Sequence, residues 1–75
     1  MVIAWFEQPY GEVCWIGDYA CMVYHSTCKW KVCKPIPGTS HESGFFITLE
    51  EGHGENIWDA KSYAETVGWE FYCRD

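Results

Sequence analysis

The chain has 75 residues, with 11 Asp and Glu against 5 Lys and Arg, for a formal net charge of −6. That length sets one domain with a small core, while 48% apolar and 19% aromatic residues exclude a disordered chain. The negative balance argues against plain binding to a phosphate backbone, which calls for clustered Lys and Arg.

The opening Met1-Val2-Ile3-Ala4-Trp5-Phe6-Glu7 lacks a basic region and soon reaches a charge, so no secretory signal is read there. The uncharged run that starts at Tyr19 is too short to cross a bilayer. A soluble, intracellular protein is expected, with no membrane partner.

Val2 to Glu7 is an apolar, β-prone run, and Gln8-Pro9-Tyr10-Gly11 is turn chemistry, with Pro fixing φ and Gly free to take φ > 0. Val13 to Ile16 reads as a strand. Gly17-Asp18 suits a two-residue hairpin of type II′, with Tyr19 to Tyr24 returning. His25-Ser26-Thr27 is a turn, and Cys28 to Lys34 is the next strand. With loops at Gly17-Asp18 and Ser26-Thr27, Cys14 falls opposite Cys21, Ile16 opposite Tyr19, Cys21 opposite Val32 and Val23 opposite Trp30. One face then holds Cys14, Ile16, Tyr19, Cys21, Val23, Cys28, Trp30 and Val32, all apolar as a core face requires. The other holds Val13, Trp15, Ala20, Met22, Tyr24, Lys29, Lys31 and Cys33, a mixed set.

Pro35 to Gly44 reads as a loop. Phe45 to Glu50 alternates as a strand, broken by Gly52-His53-Gly54. Asn56 is a helix N-cap, and Ile57, Ala60, Ala64 and Val67 form the apolar stripe of a helix ending near Val67. Gly68 suits the C′ position, and Trp69 to Cys73 alternates as a last strand. The order β-β-β-β-α-β implies an α+β domain: an antiparallel sheet of four or five strands with one helix packed on one face.

Five cysteines (Cys14, Cys21, Cys28, Cys33 and Cys73) cannot all pair within one chain. Without a secretory signal they are expected as thiols, with Cys14, Cys21 and Cys28 as core filler and Cys33, on the wetter face, as the reactive one. A competing reading is a zinc-stabilised domain with Cys14, Cys21, Cys28 or His25, and Cys33 as ligands. It lacks the Cys-x2-Cys spacing of structural zinc sites, so no metal or other cofactor is expected.

The charge is lopsided. Residues 1–41 balance to zero, and the last 34 residues carry eight acids against Lys61 and Arg74. Glu50 and Glu51 end a strand, Glu55 precedes the helix, and Asp59 and Glu65 oppose its apolar stripe. Such a one-sign surface steers a basic partner and can mimic a phosphate array. Glu55 and Asp59 also complement the positive end of the helix. Trp58 at the stripe border and Trp15 on the mixed face are candidate anchors, since partner surfaces favour Trp and Tyr. Lys29 and Lys31, beside Trp15 or Tyr24, form an alternative nucleic-acid stripe. An edge strand or an exposed Trp leaves a homodimer open. Catalysis is not expected: His25, His41 and His53 have no spacing that pairs them with Cys33. Gly52-His53-Gly54-Glu55 lacks the Lys and Ser/Thr of a phosphate loop.

Phe46-Ile47-Thr48-Leu49-Glu50-Glu51, Asp59-Ala60-Lys61-Ser62-Tyr63-Ala64-Glu65 and Gly68-Trp69-Glu70-Phe71 together resemble a strand–helix–strand pattern of short phage and mobile-element proteins, among them anti-CRISPR proteins. The likeness covers about 30 residues and departs from the pattern at Gly52-His53-Gly54. It implies a small non-enzymatic inhibitor in the cytoplasm of a bacterial host, whose partner is a basic nucleic-acid-binding protein or complex. The expected contact residues are Glu50, Glu51, Glu55, Asp59, Glu65, Trp58 and Trp15.

Overall fold

Gly17 takes φ +60° while its neighbour Asp18 keeps a negative φ, the signature of a type II′ turn whose twist matches that of the strands it joins. From this turn the rest of the sheet follows by register. The computed structural model describes residues 4–36 and 46–74. In chain order these form β1 (Phe6–Gln8), β2 (Gly11–Ile16), β3 (Tyr19–Tyr24), β4 (Lys29–Pro35), β5 (Phe46–His53) and α1 (Ile57–Arg74). The five strands make one antiparallel meander in sequential order, with α1 across one face.

The two expected hairpin registers are the ones observed. Cys14 opposes Cys21 and Ile16 opposes Tyr19, while Cys21 opposes Val32 and Val23 opposes Trp30. Alternation then places Cys14, Ile16, Tyr19, Cys21, Val23, Trp30 and Val32 on the side that meets Ala60, Ala64 and Val67 of the helix, and all ten are buried together. The two alanines let the helix axis approach the sheet closely. Val23 and Val32 are fully buried, each contributing roughly 1.5–3 kcal/mol by leaving water. Aromatic pairs close the flanks: Tyr63 lies over Trp30 with centroids 6.1 Å apart, and Phe71 over Tyr19 at 5.8 Å.

Cys28 departs from the expected core face. It takes φ 55° in the loop between β3 and β4 and is half-buried. Its N–H reaches the Tyr24 carbonyl at 2.9 Å, so the loop spans four residues, His25 to Cys28, and needs a left-handed residue to re-enter the sheet. The Pro9-Tyr10 turn forms where expected, with Gln8 paired to Gly11. Gly11 does not use positive φ, which among the described glycines belongs to Gly17; a Cβ there would strike the Val23 carbonyl.

The C-terminal end differs most. Trp69 to Cys73 is not a strand, because α1 runs unbroken to Arg74. Gly68 is no C′ residue either. It is buried mid-helix, where a Cβ would stand 2.5 Å from Cys21 Sγ and 3.0 Å from Ile16 Cδ1. The glycine is there for close packing, which outweighs its helix cost of about 1 kcal/mol. Phe71, one turn further on, extends the apolar stripe and packs on the core. A five-residue alternation cannot distinguish period 2 from period 3.6 by itself. Of the strand–helix–strand resemblance, the last strand is therefore helix.

Gly52 does not end β5 either. It pairs with Trp30, and a Cβ on it would lie 2.9 Å from the Trp30 ring. The strand continues to His53 because glycine leaves room for the indole. A register shift opposite Val32 and Cys33 bulges β5 near Leu49. Val2, Ile3, His41, Phe45 and most of the Pro35 to Gly44 loop lie outside the described residues. No helix among the described residues is long and apolar enough to cross a membrane.

Candidate protein-binding surface

In a meander, alternate turns gather at the same end of the sheet. The Pro9-Tyr10 turn, the His25–Cys28 loop and the β5–α1 link therefore meet at one end, and the backbone ties them together. The His25 N–H bonds the Tyr10 carbonyl at 3.1 Å, and the Gly54 N–H bonds the Cys28 carbonyl at 2.9 Å. The N-terminus of α1 opens on this corner.

Asn56 caps the helix as its sequence predicts. Its Oδ1 accepts the Asp59 N–H at 2.9 Å, and Asp59 Oδ2 accepts the Glu55 N–H at 3.0 Å. This is a capping box displaced by one residue, and it satisfies donors that the first turn leaves orphaned. Asp59 is thus half-buried and engaged in the fold, while Glu55 is exposed. Trp58, between Asn56 and Asp59, is 74% exposed, the largest exposure among the described large apolar residues.

The expected acidic residues do not share one face. Glu50 opposes Val32, so it lies on the helix side of the β5 edge. Glu51 opposes Lys31 on the other side, with Lys29 Nζ 3.5 Å from its carboxylate. Glu65 lies about two turns beyond Trp58 on the flank of α1 away from β5 and accepts the Trp5 indole N–H at 2.6 Å. Among the described residues, neither Glu50 nor Glu55 forms an ion pair. The helix N-terminus places Glu55, Asp59 and Trp58 within one turn of each other, while Glu50 and Glu51 part to opposite faces of β5.

Next to the corner lies a cluster that sequence reasoning missed. Glu12 Oε2 accepts both Lys61 Nζ at 2.8 Å and the His25 Nε2–H at 3.0 Å. These two hydrogen bonds, from Lys61 first and His25 second, hold the Glu12 carboxyl below its ordinary range. Lys61 Nζ also stands 5.1 Å from the Trp58 ring and 5.6 Å from the Trp5 ring, between two indole faces. The helical spacing of Trp58 and Lys61 was a legible signal for one of these contacts. Nothing in local pattern pointed to Trp5 or Glu12.

The sheet face opposite α1 holds a second apolar cluster of Val13, Ala20 and Cys33, with Met22 and Phe46 against it. Trp15 is on this face, 39% exposed, its ring 6.1 Å from Phe46. It lies away from the acidic corner. Cys33 is buried here, with Sγ 3.7 Å from Thr48 Oγ1, and is not the wet, reactive thiol expected; the exposed thiol is Cys73. Packing by Phe46 closes over a face that alternation alone leaves mixed.

Lys29 and Lys31 do share this face, but both are engaged. Lys29 meets Glu51, and Lys31 Nζ lies 5.3 Å from the Tyr24 ring, the neighbouring phenol raising the lysine pKa. The proposed zinc ligands do not converge, since Cys14 and Cys21 face the helix, Cys33 faces away and Cys28 is in a loop. Among the described residues no group of three or more His, Cys, Asp or Glu is placed to hold a metal.

No family model matches this chain, and neither the curated proteins nor the solved structures yield a match to it.

Proposed function

We propose that this chain is a non-enzymatic inhibitor of the anti-CRISPR type, which docks its acidic corner on a basic nucleic-acid-binding protein or complex and excludes the nucleic acid. The observation that carries the reading is Trp58. An indole 74% exposed, with Lys61 Nζ 5.1 Å from its ring and Glu55 and Asp59 in the same stretch of helix N-terminus, is an exposed anchor of the kind partner surfaces use. Glu50, Glu51 and Glu55 supply the field that steers a cationic surface toward it. Asp59 and Glu65 serve the fold first, so their loss damages structure as well as binding.

The test is affinity capture from a bacterial lysate with and without nuclease, read by mass spectrometry. A stoichiometric nucleic-acid-binding protein held despite nuclease and released by salt supports the proposal. Glu50→Lys, Glu51→Lys and Glu55→Lys together should weaken that binding and flatten its salt dependence, and Trp58→Ala should shorten its lifetime. Retention that vanishes with nuclease, or reversal variants that bind as the parent does, overturns it.

A further inference from the structure

We infer that Cys14 and Cys21 form a latent disulfide site, a cross-strand thiol pair under α1 that oxidises when the helix lifts. The two are direct partners in the β2–β3 ladder. Counting from the turn that Ile16 and Tyr19 close, they occupy a hydrogen-bonded position, where facing Cα atoms are about 5.5 Å apart. That falls inside the Cα range of about 4.4–6.8 Å that a disulfide bridges, while the facing Cβ atoms, about 5 Å apart at such a pair, must draw in toward about 3.8 Å, a shift that opening of the helix permits. Both side chains point to the same side of the sheet, both are fully buried, and both are free thiols. No other pair of this chain's five cysteines faces across a described strand ladder.

The closed molecule keeps the pair inert. The neighbouring Cys21 thiol, with burial, pushes the Cys14 thiol well above its ordinary value. Thiolate is the reactive form, so little of it exists under the helix. One element covers both sulfurs. Gly68 stands so near Cys21 Sγ that no Cβ fits between them, and Ala60, Ala64 and Val67 complete the same cluster. Opening α1 therefore exposes the two thiols together. In the opened state one deprotonates and attacks a small disulfide such as oxidised glutathione, forming a mixed disulfide and releasing one glutathione thiolate. The second protein thiolate then attacks the protein sulfur of that mixed disulfide and expels the other glutathione. Two protein thiols lose two electrons and two protons, and one small disulfide becomes two thiols. The bond pins the β2–β3 hairpin in its native register.

The experiment uses the full chain with Cys28→Ser, Cys33→Ala and Cys73→Ser, equilibrated with oxidised and reduced glutathione, with and without urea below the unfolding midpoint. The pair should close to a monomer lighter by two hydrogens, faster in urea, and reopen with dithiothreitol. Adding Gly68→Ala, which crowds the helix off Cys21, should speed closure by about tenfold, as expected if a local opening sets the rate. Adding Cys14→Ala should abolish the bond. A product dominated by glutathione adducts or linked dimers, or thiols that stay reduced in oxidising buffer with urea, overturns the proposal. Should the triple variant fail to fold, the unaltered chain is oxidised, alkylated and mapped by mass spectrometry. A Cys14–Cys21 link supports the site, and links confined to Cys28, Cys33 or Cys73, or none, overturn it.

Discussion

Trp5 donates its indole N–H to Glu65 at 2.6 Å, joining two residues sixty positions apart. The contact holds Trp5, just ahead of β1, against one flank of α1, where its ring also faces Lys61. It explains why an acid on the helix side away from the apolar stripe is half-buried, and it removes Glu65 from the surface available to a partner.

Replacing Trp5 by Phe keeps a ring beside Lys61 and deletes the donor. A hydrogen bond to a charged group contributes about 1.5–3 kcal/mol, so Trp5→Phe should lower unfolding free energy by roughly that amount. Glu65→Gln keeps an acceptor and should cost less. Urea denaturation of both variants checks the order; a Trp5→Phe midpoint equal to that of the parent removes the strap from the account of stability.

Glu12 makes stability depend on pH. Its carboxyl is held below the ordinary 4.5 by Lys61 and His25. A depressed folded pKa contributes stability that is present above the unfolded value and is lost as pH falls through the folded one. Glu12→Gln should therefore be less stable than the parent near neutral pH, and the gap should close as pH drops below 4.5. Unfolding curves of the two proteins across that range measure it. A gap that stays constant with acidification would falsify the ionic role of Glu12.

Gly68→Ala sets two effects against each other. Alanine gains about 1 kcal/mol of helix propensity, but its Cβ would meet Cys21 Sγ at 2.5 Å, and overpacking costs about 1–3 kcal/mol. The clash should win, and the variant should be less stable. In a Cys21→Ala background the sulfur is gone, so the same substitution should become neutral or stabilising. A double-mutant cycle reads this coupling directly, and additive effects would mean that the helix shifts freely.

Cys28→Gly should stabilise the protein. The left-handed φ of 55° costs a side-chain-bearing residue about 1–2 kcal/mol, while glycine returns about 0.4–1 kcal/mol of that to the unfolded chain's freedom. A net gain of roughly 0.5–1 kcal/mol should appear as a raised Tm. A lowered Tm would show that the half-buried Cys28 side chain packs to more effect than its backbone strain removes.

The meander was legible in the residue pattern as far as β4. Two-residue periodicity carries facing information, and the Gly17-Asp18 turn anchors the count, so local pattern alone dictates Cys14 opposite Cys21 and Val23 opposite Trp30. The Asn56 cap and the stripe of Ile57, Ala60, Ala64 and Val67 were legible for the same reason, since both are local patterns. The end of the helix was not. Gly68 reads as a stop until Cys21 is seen beneath it, and Gly52 reads as a break until Trp30 is seen across from it. A glycine that makes room for a distant side chain leaves the same local mark as one that turns the chain. The acidic surface followed the same rule. Its composition was plain in the sequence, but the packing of elements settled that Asp59 caps α1, that Glu65 is bound by Trp5, and that Glu50 and Glu51 part to opposite faces of β5.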